Sequence, residues 1–173
     1  MSTSFSWIMA KPIVTLSFWG LGVSNMAEQQ KTDYRTSAML RKLSKTDDIE
    51  TFIESNSADL GVPAFHTYIS AICQETGEVP EQVIKCANIE RTYGHQLFNG
   101  TRKPSRDKVL QLAFGLKLDA DGTQRLLQIA QKSALYPKIK RDAAILYCIL
   151  HGKDILETQS VLQSLDLTLL GGE

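Results

Sequence analysis

Residues 80–116, PEQVIKCANIERTYGHQLFNGTRKPSRDKVLQLAFGL, decide how the chain is read. Pro80 stands where a first helical residue needs no amide donor, and Val83, Ile84 and Ala87 form a short apolar stripe behind it. Asn88, a residue that accepts left-handed geometry, ends that helix. A second short helix is expected from about Glu90 to Asn99, with Gly100 as its stop. Beyond Lys103-Pro104, Ser105 reads as an N-cap, and Val109, Leu112, Ala113 and Leu116 follow at i, i+3, i+4 and i+7. Two short helices around a tight turn fit a DNA-reading helix-turn-helix. Ile84, Ile89 and Leu97 fall where the pair must bury apolar contacts, while Arg91, Thr92, His95 and Gln96 leave the outer face polar. A helix of this width enters the major groove and meets base edges with its N-terminal residues.

C-terminal to this stretch, Asp121 with Gln124 predicts a capping box leading into Leu126, Leu127, Ile129 and Ala130. Two further helices are expected at 139–151 and 154–164, separated by Gly152, with Asp154 and Glu157 repeating the capping pattern. Thr123-Gln124-x-x-Leu127-Gln128 recurs as Thr158-Gln159-x-x-Leu162-Gln163. Two copies are too few for a solenoid, so the echo reads as two similar cap-and-stripe helices. On the N-terminal side, Phe65, Tyr68, Ile69 and Ile72 share one helix face, and Gly77 ends it. Met39, Leu40 and Leu43 are helical in spacing, and Ser44 with Asp47 offers a cap before Ile49, Phe52 and Ile53. The resulting organisation is an N-terminal extension at 1–35, a short helical arm at 36–62, a helix-turn-helix domain at 63–118 and a C-terminal helical extension at 119–173. Residues 12–23 are mostly apolar but too short for a membrane helix, which takes about 20 such residues, so the extension reads as dispensable and not as a targeting segment.

Composition points the same way. Apolar residues make up 43% of the 173, with 11 Gly and 5 Pro, and helix formers dominate, so an all-α globular chain is expected. The formal net charge is zero, which removes whole-molecule attraction to polyanions as an argument. From Lys85 to Lys108, however, six Lys or Arg face two acids, Glu90 and Asp107, and this is the patch that phosphate neutralisation requires. Cys73, Cys86 and Cys148 are scattered, as reduced thiols of a cytoplasmic protein would be.

On Val83-Ile84, Asn88-Ile89, Leu97 and above all Asn99-Gly100-x-x-x-Pro104-Ser105, the chain resembles the lambda-repressor-like, or xenobiotic-response-element-like, helix-turn-helix regulators. The resemblance spans roughly residues 64–118. It implies a compact all-α bundle containing a phage-repressor-type helix-turn-helix with additional C-terminal helices, and a sequence-specific repressor acting as a dimer on double-stranded DNA. By position, Arg91, Thr92 and Gln96 match the family's base-facing sites, and His95 lies on the same face. Arg91 has the chemistry to bridge guanine O6 and N7, and Gln96 adenine N6 and N7, each contact being worth roughly 1–3 kcal/mol of discrimination. Asn99, Thr101, Arg102, Lys103 and Arg106 occupy the segment that resembles the family's phosphate clamp, which fixes register without reading sequence. Three departures stand against the family pattern: Val79 and Glu90 replace Ser or Thr caps, and Gly94 lies inside the recognition helix.

The same residues have plainer readings. Arg91, Arg102 and Lys103 also suit a solvated face, and His95 has no second ligand at i+3 or i+4 to make a metal site. Asp119-Ala-Asp121-Gly122 lacks the later ligands of a calcium loop and reads as helix capping. No nucleophile with an arranged base is visible, so neither an enzymatic activity nor a cofactor is expected, and no membrane association. The rival class is an interaction protein, an antitoxin or phage-encoded inhibitor, that keeps the scaffold and binds a protein partner. Glu90, Gly94 and the neutral net charge favour it, and the basic loop at 101–106 disfavours it.

Overall fold

The computed structural model describes residues 37–171, and the N-terminal extension lies outside them. The described residues form nine helices and no strand, as the composition predicts. None of these helices is long and apolar enough to cross a membrane. The chain divides between Ser57 and Ala58 into two units, each described by itself.

The first unit holds α1 (residues 37–43) and α2 (Ile49–Ser55). The cap of α2 is not Ser44 but Asp48, whose carboxylate accepts from the Glu50 and Thr51 amides at 3.1 and 3.3 Å. Ser44 donates its hydroxyl back to the Arg41 carbonyl and so finishes α1 instead. Capping chemistry was expected here four residues too early, because both Ser and Asp suit the role and only the backbone turn selects between them.

The second unit carries α3 (Phe65–Thr76), α4 (Pro80–Cys86), α5 (Arg91–Phe98), α6 (Arg106–Gly115), α7 (Ala120–Ile129), α8 (Lys140–Leu150) and α9 (Ile155–Ser164). Its helix ends follow local chemistry. Gly77 closes α3 with φ 71°, Pro80 opens α4, and Ser105 caps α6 through the Lys108 amide. Asp154 and Glu157 form both halves of the expected capping box on α9. The expected Asp121–Gln124 box does not form: Asp119 caps α7 through the Gly122 amide at 2.7 Å. The Gln124 amide reaches forward instead, donating to the Leu135 carbonyl and accepting from its N–H, both at 2.8 Å.

One hydrophobic core runs through the whole second unit, from Ile69 on α3 through Ile84, Leu97, Leu112 and Leu127 to Ile145 and Leu162. Nothing separates residues 118 and 119: α6 packs on α4 on one side and on α7 and α9 on the other. The C-terminal helices are therefore part of the same body as α3–α5 and not an appendage to it. Each fully buried Leu or Ile contributes roughly 1.5–3 kcal/mol by leaving water, so this shared core and no single ion pair holds the unit together.

The echo between residues 123–128 and 158–163 belongs to a much larger repeat. Helix α7 begins at Ala120 and α9 at Ile155, 35 residues later, and the offset recurs at the ends of α6 and α8, Gly115 and Leu150, and of α7 and α9, Ile129 and Ser164. Asp119 and Asp154 cap, Lys117 and Gly152 both take positive φ before the cap, and Gln131 and Asp166 both take it after the second helix. Gln159 binds Leu170 through both backbone groups just as Gln124 binds Leu135. The hairpins also exchange identical bonds. Arg106 donates to Ser133 and Ala134 carbonyls of its own hairpin and pairs bidentately with Asp142 of the other. Arg141 donates to Thr168 and Leu169 carbonyls and pairs bidentately with Asp107. The Tyr136 and Gly171 amides complete the two carboxylates, Asp142 and Asp107 respectively. A relation in which the first half does to the second what the second does to the first is the mark of an approximate two-fold axis.

Candidate nucleic-acid interface

Helices α4 and α5 are joined by Ala87–Glu90, in which Asn88 takes the expected left-handed conformation at φ 51°. Their crossing is set by Gly94. A Cβ built there would lie 2.5 Å from Ile84 Cγ2 and 2.7 Å from Cγ1, so only hydrogen fits where α5 presses on α4. The helix interior glycine is thus a packing requirement. Ile84, Ile89 and Leu97 are buried in the interface between the two helices and the core beneath. Behind the turn, the buried Gln111 of α6 donates its amide to the Ala87 and Asn88 carbonyls at 3.3 and 3.2 Å, satisfying the exposed end of α4.

With Gly94 and Leu97 turned inward, α5 presents Arg91, Thr92, His95 and Gln96 on its other side. Arg91, Thr92 and His95 are exposed, and Gln96 is half-buried. Glu90 is the N-cap of α5, accepting from the Thr92 and Tyr93 amides at 2.8 and 2.7 Å. Those two amides hold its carboxyl below the usual carboxylate range. Its negative charge therefore satisfies the positive end of the helix, which is why a Glu can replace the Ser or Thr of the family pattern.

Sequence reasoning missed Glu81. Its carboxylate reaches from the first turn of α4 to Arg91 Nε at 2.8 Å and to His95 Nε2 at 2.7 Å. Two residues of the outward face of α5 are thereby tied to one acid on the neighbouring helix. No periodicity links residue 81 to 91 and 95, and only the crossing of α4 and α5 brings them together.

The loop after α5 divides among its expected members. Asn99 accepts from the Thr101 amide at 2.9 Å and from the Thr101 hydroxyl, forming a turn that shapes the loop. Arg102 and Lys103 are exposed, and the Arg102 guanidinium lies 5.6 Å above the Tyr93 ring. Lys108 approaches the same ring at 5.9 Å, so Tyr93 organises two cations at the end of the face. Arg106 is the exception. Its guanidinium is turned inward and spent on Asp142 and two carbonyls, with the side chain 23% exposed, which removes it from the expected phosphate contacts. Its place beside Arg102 and Lys103 in sequence suggested a shared role, but the residues that claim it lie 27 to 36 positions later.

The three cysteines are free, Cys73 and Cys148 being buried, and burial with the nearby Glu78 charge pushes the Cys73 thiol up. Among the described residues no three His, Cys, Asp or Glu side chains come together as a metal site would require. Comparison with known proteins finds no matching family model, no similar curated protein and no similar solved structure.

Proposed function

We propose that the chain is a sequence-specific DNA-binding regulator, with α5 as the recognition helix of a helix-turn-helix. The observation that carries this reading is the outward face of α5, where Arg91, Thr92, His95 and Gln96 stand together and run into the exposed cations Arg102 and Lys103. Side chains of these types match major-groove edges, and the loop cations match phosphates. One recognition helix reads too few bases for useful selectivity, so a palindromic site bound by two copies is expected. Repression follows from the family resemblance and not from the face itself.

The test is enrichment of genomic fragments by the purified protein at two salt concentrations, beside an Arg91→Ala/Gln96→Ala double variant. Selective recovery of a palindrome, lost in the variant and weakened by salt, is expected. No enrichment even at low salt overturns the reading.

A protein-binding scaffold is the second reading, and the Glu81 contacts favour it, since they neutralise Arg91 and occupy a ring nitrogen of His95, the residues nearest the base edges. A mostly apolar protein interface holds its affinity as salt rises, whereas phosphate binding weakens steeply.

A further inference from the structure

The approximate two-fold relation between the hairpins gives every surface of one a counterpart on the other. On α6, the face of Gln111, Leu112 and Gly115 is covered by α4, so closely that a Cβ on Gly115 would lie 2.5 Å from the Val83 carbonyl. The counterpart on α8, 35 residues on, is Leu146, Tyr147 and Leu150. Leu146 is half-buried against the core at its edge, but no helix of the second unit covers Tyr147 and Leu150, which are 49% and 70% exposed. With Ala143 these residues form an i, i+3, i+4, i+7 stripe two turns long.

We propose that this face of α8 is a self-association surface, on which α8 of a second copy lies antiparallel about a two-fold axis near Leu146 and Tyr147. Two features identify the occupant as another copy of this chain. The stripe is self-complementary in shape, because antiparallel pairing sets the small Ala143 of one copy opposite the Leu150 of the other. An open apolar groove lined by Lys140, Ala143, Ala144, Leu165 and Leu167 runs beside it to receive that side chain. It is also self-complementary in charge. Lys138 and Lys140 stand at the N-terminal end of α8 and Asp154 beyond its C-terminal end, and none has an ion-pair partner among the described residues. Antiparallel pairing brings each lysine end toward the aspartate end of the other copy. Tyr147 is already held for this role by His151, which stacks on its ring at 4.0 Å and bonds the Tyr147 carbonyl at 2.8 Å. The surface stands whether or not α5 binds DNA.

Light scattering on the full chain, coupled to size exclusion and without DNA, reads the result directly. A mass of twice the 19.3 kDa chain is expected at micromolar concentration, with Leu150→Glu monomeric at an unchanged helical circular dichroism spectrum. Lys140→Glu is expected to weaken the dimer several-fold, and Lys140→Arg to leave it intact. Should Leu150→Glu fail to fold, Tyr147→Cys decides: oxidation is expected to give a 147–147 linked peptide by mass spectrometry. A monomer at every concentration, a dimer undisturbed by Leu150→Glu, or a Tyr147→Cys chain that forms no such link overturns the proposal.

Discussion

Glu81 illustrates how a single acid conditions an otherwise cationic face. It sits beside Arg91 and His95 at 2.8 and 2.7 Å, yet all three side chains are about half exposed or more, so the pairs are screened and individually weak. Glu81→Gln keeps an acceptor for Arg91 and removes the charge. If α5 reads DNA, the variant binds duplex about two- to fivefold more tightly at low salt, the equivalent of a surface pair. Unchanged affinity, measured by fluorescence anisotropy, would place Glu81 outside the interface. Asp107 carries a residue-scale expectation of another kind. Burial pushes its carboxyl up, but the Arg141 hydrogen bonds and charge, the Gly171 amide and the Arg106 charge outweigh it, and the net direction is down. A carboxyl lowered on folding takes up protons more readily when unfolded. Its stabilisation is thus whole above an ordinary Asp pKa of about 3.9 and is lost as pH falls through its own lower value. The Tm of the wild type is expected to drop on acidification below about pH 4, and Asp107→Asn to start lower and flatten that limb.

Among the elements, α4 and α5 meet through a glycine that fits for want of a methyl group. Gly94→Ala gains about 1 kcal/mol of helix propensity and loses about 1–3 kcal/mol to overpacking against Ile84, so a net loss of about 1 kcal/mol is expected in urea unfolding. Ile84→Ala alone costs about 2–5 kcal/mol, and the double variant is expected to be less destabilised than the two added, by at least about 1 kcal/mol. Strict additivity would mean that the two residues do not press on each other. Helix-scale features are also where the sequence spoke most clearly. The stripes of α3 to α9, the left-handed Asn88 and the Asp154–Glu157 box depend on residues within a turn or two of one another, and local chemistry dictates them. Where the sequence holds more than one capping acceptor within a few residues, as Ser44 and Asp48 or Asp119 and Asp121, it does not choose between them, because each could start a helix at its own position and only packing fixes where the first turn begins. Gly94 was visible as an oddity, but its purpose needed the partner helix.

For the molecule as a whole, the feature that sequence reading undervalued is the duplication of the two hairpins. Thr-Gln-x-x-Leu-Gln is its contiguous echo, and the isolated pairs Arg106-Asp107 and Arg141-Asp142, Asp119 and Asp154, and Leu135 and Leu170 recur at the same offset, because a repeat is preserved by its bonds more than by its apolar residues, which exchange freely at constant volume. Arg106 was misread because its partners lie 27 to 36 positions away, and two isolated Arg-Asp dipeptides do not by themselves reveal that each pairs with the other. The approximate symmetry makes a quantitative statement. Arg106 and Arg141 side chains are 23% and 21% exposed and have matching partners. Arg106→Ala and Arg141→Ala are therefore expected to destabilise by similar amounts, about 2–3 kcal/mol each, below the 3–5 of fully buried pairs because both arginines keep some water. Unequal losses, differing by more than about 1 kcal/mol in matched denaturation curves, would show that the two clasps are not equivalent.

The bond from the Gly171 amide to Asp107 joins residues 64 positions apart. At a synthesis rate of about 5–20 residues per second, roughly 3–13 seconds separate the making of its two ends. During that interval a nascent chain already contains the sequence of α3 to α6, but Asp107 still lacks both Arg141 and Gly171. The half that carries α3 to α6 is translated first, and the residues that complete the Asp107 clasp arrive last.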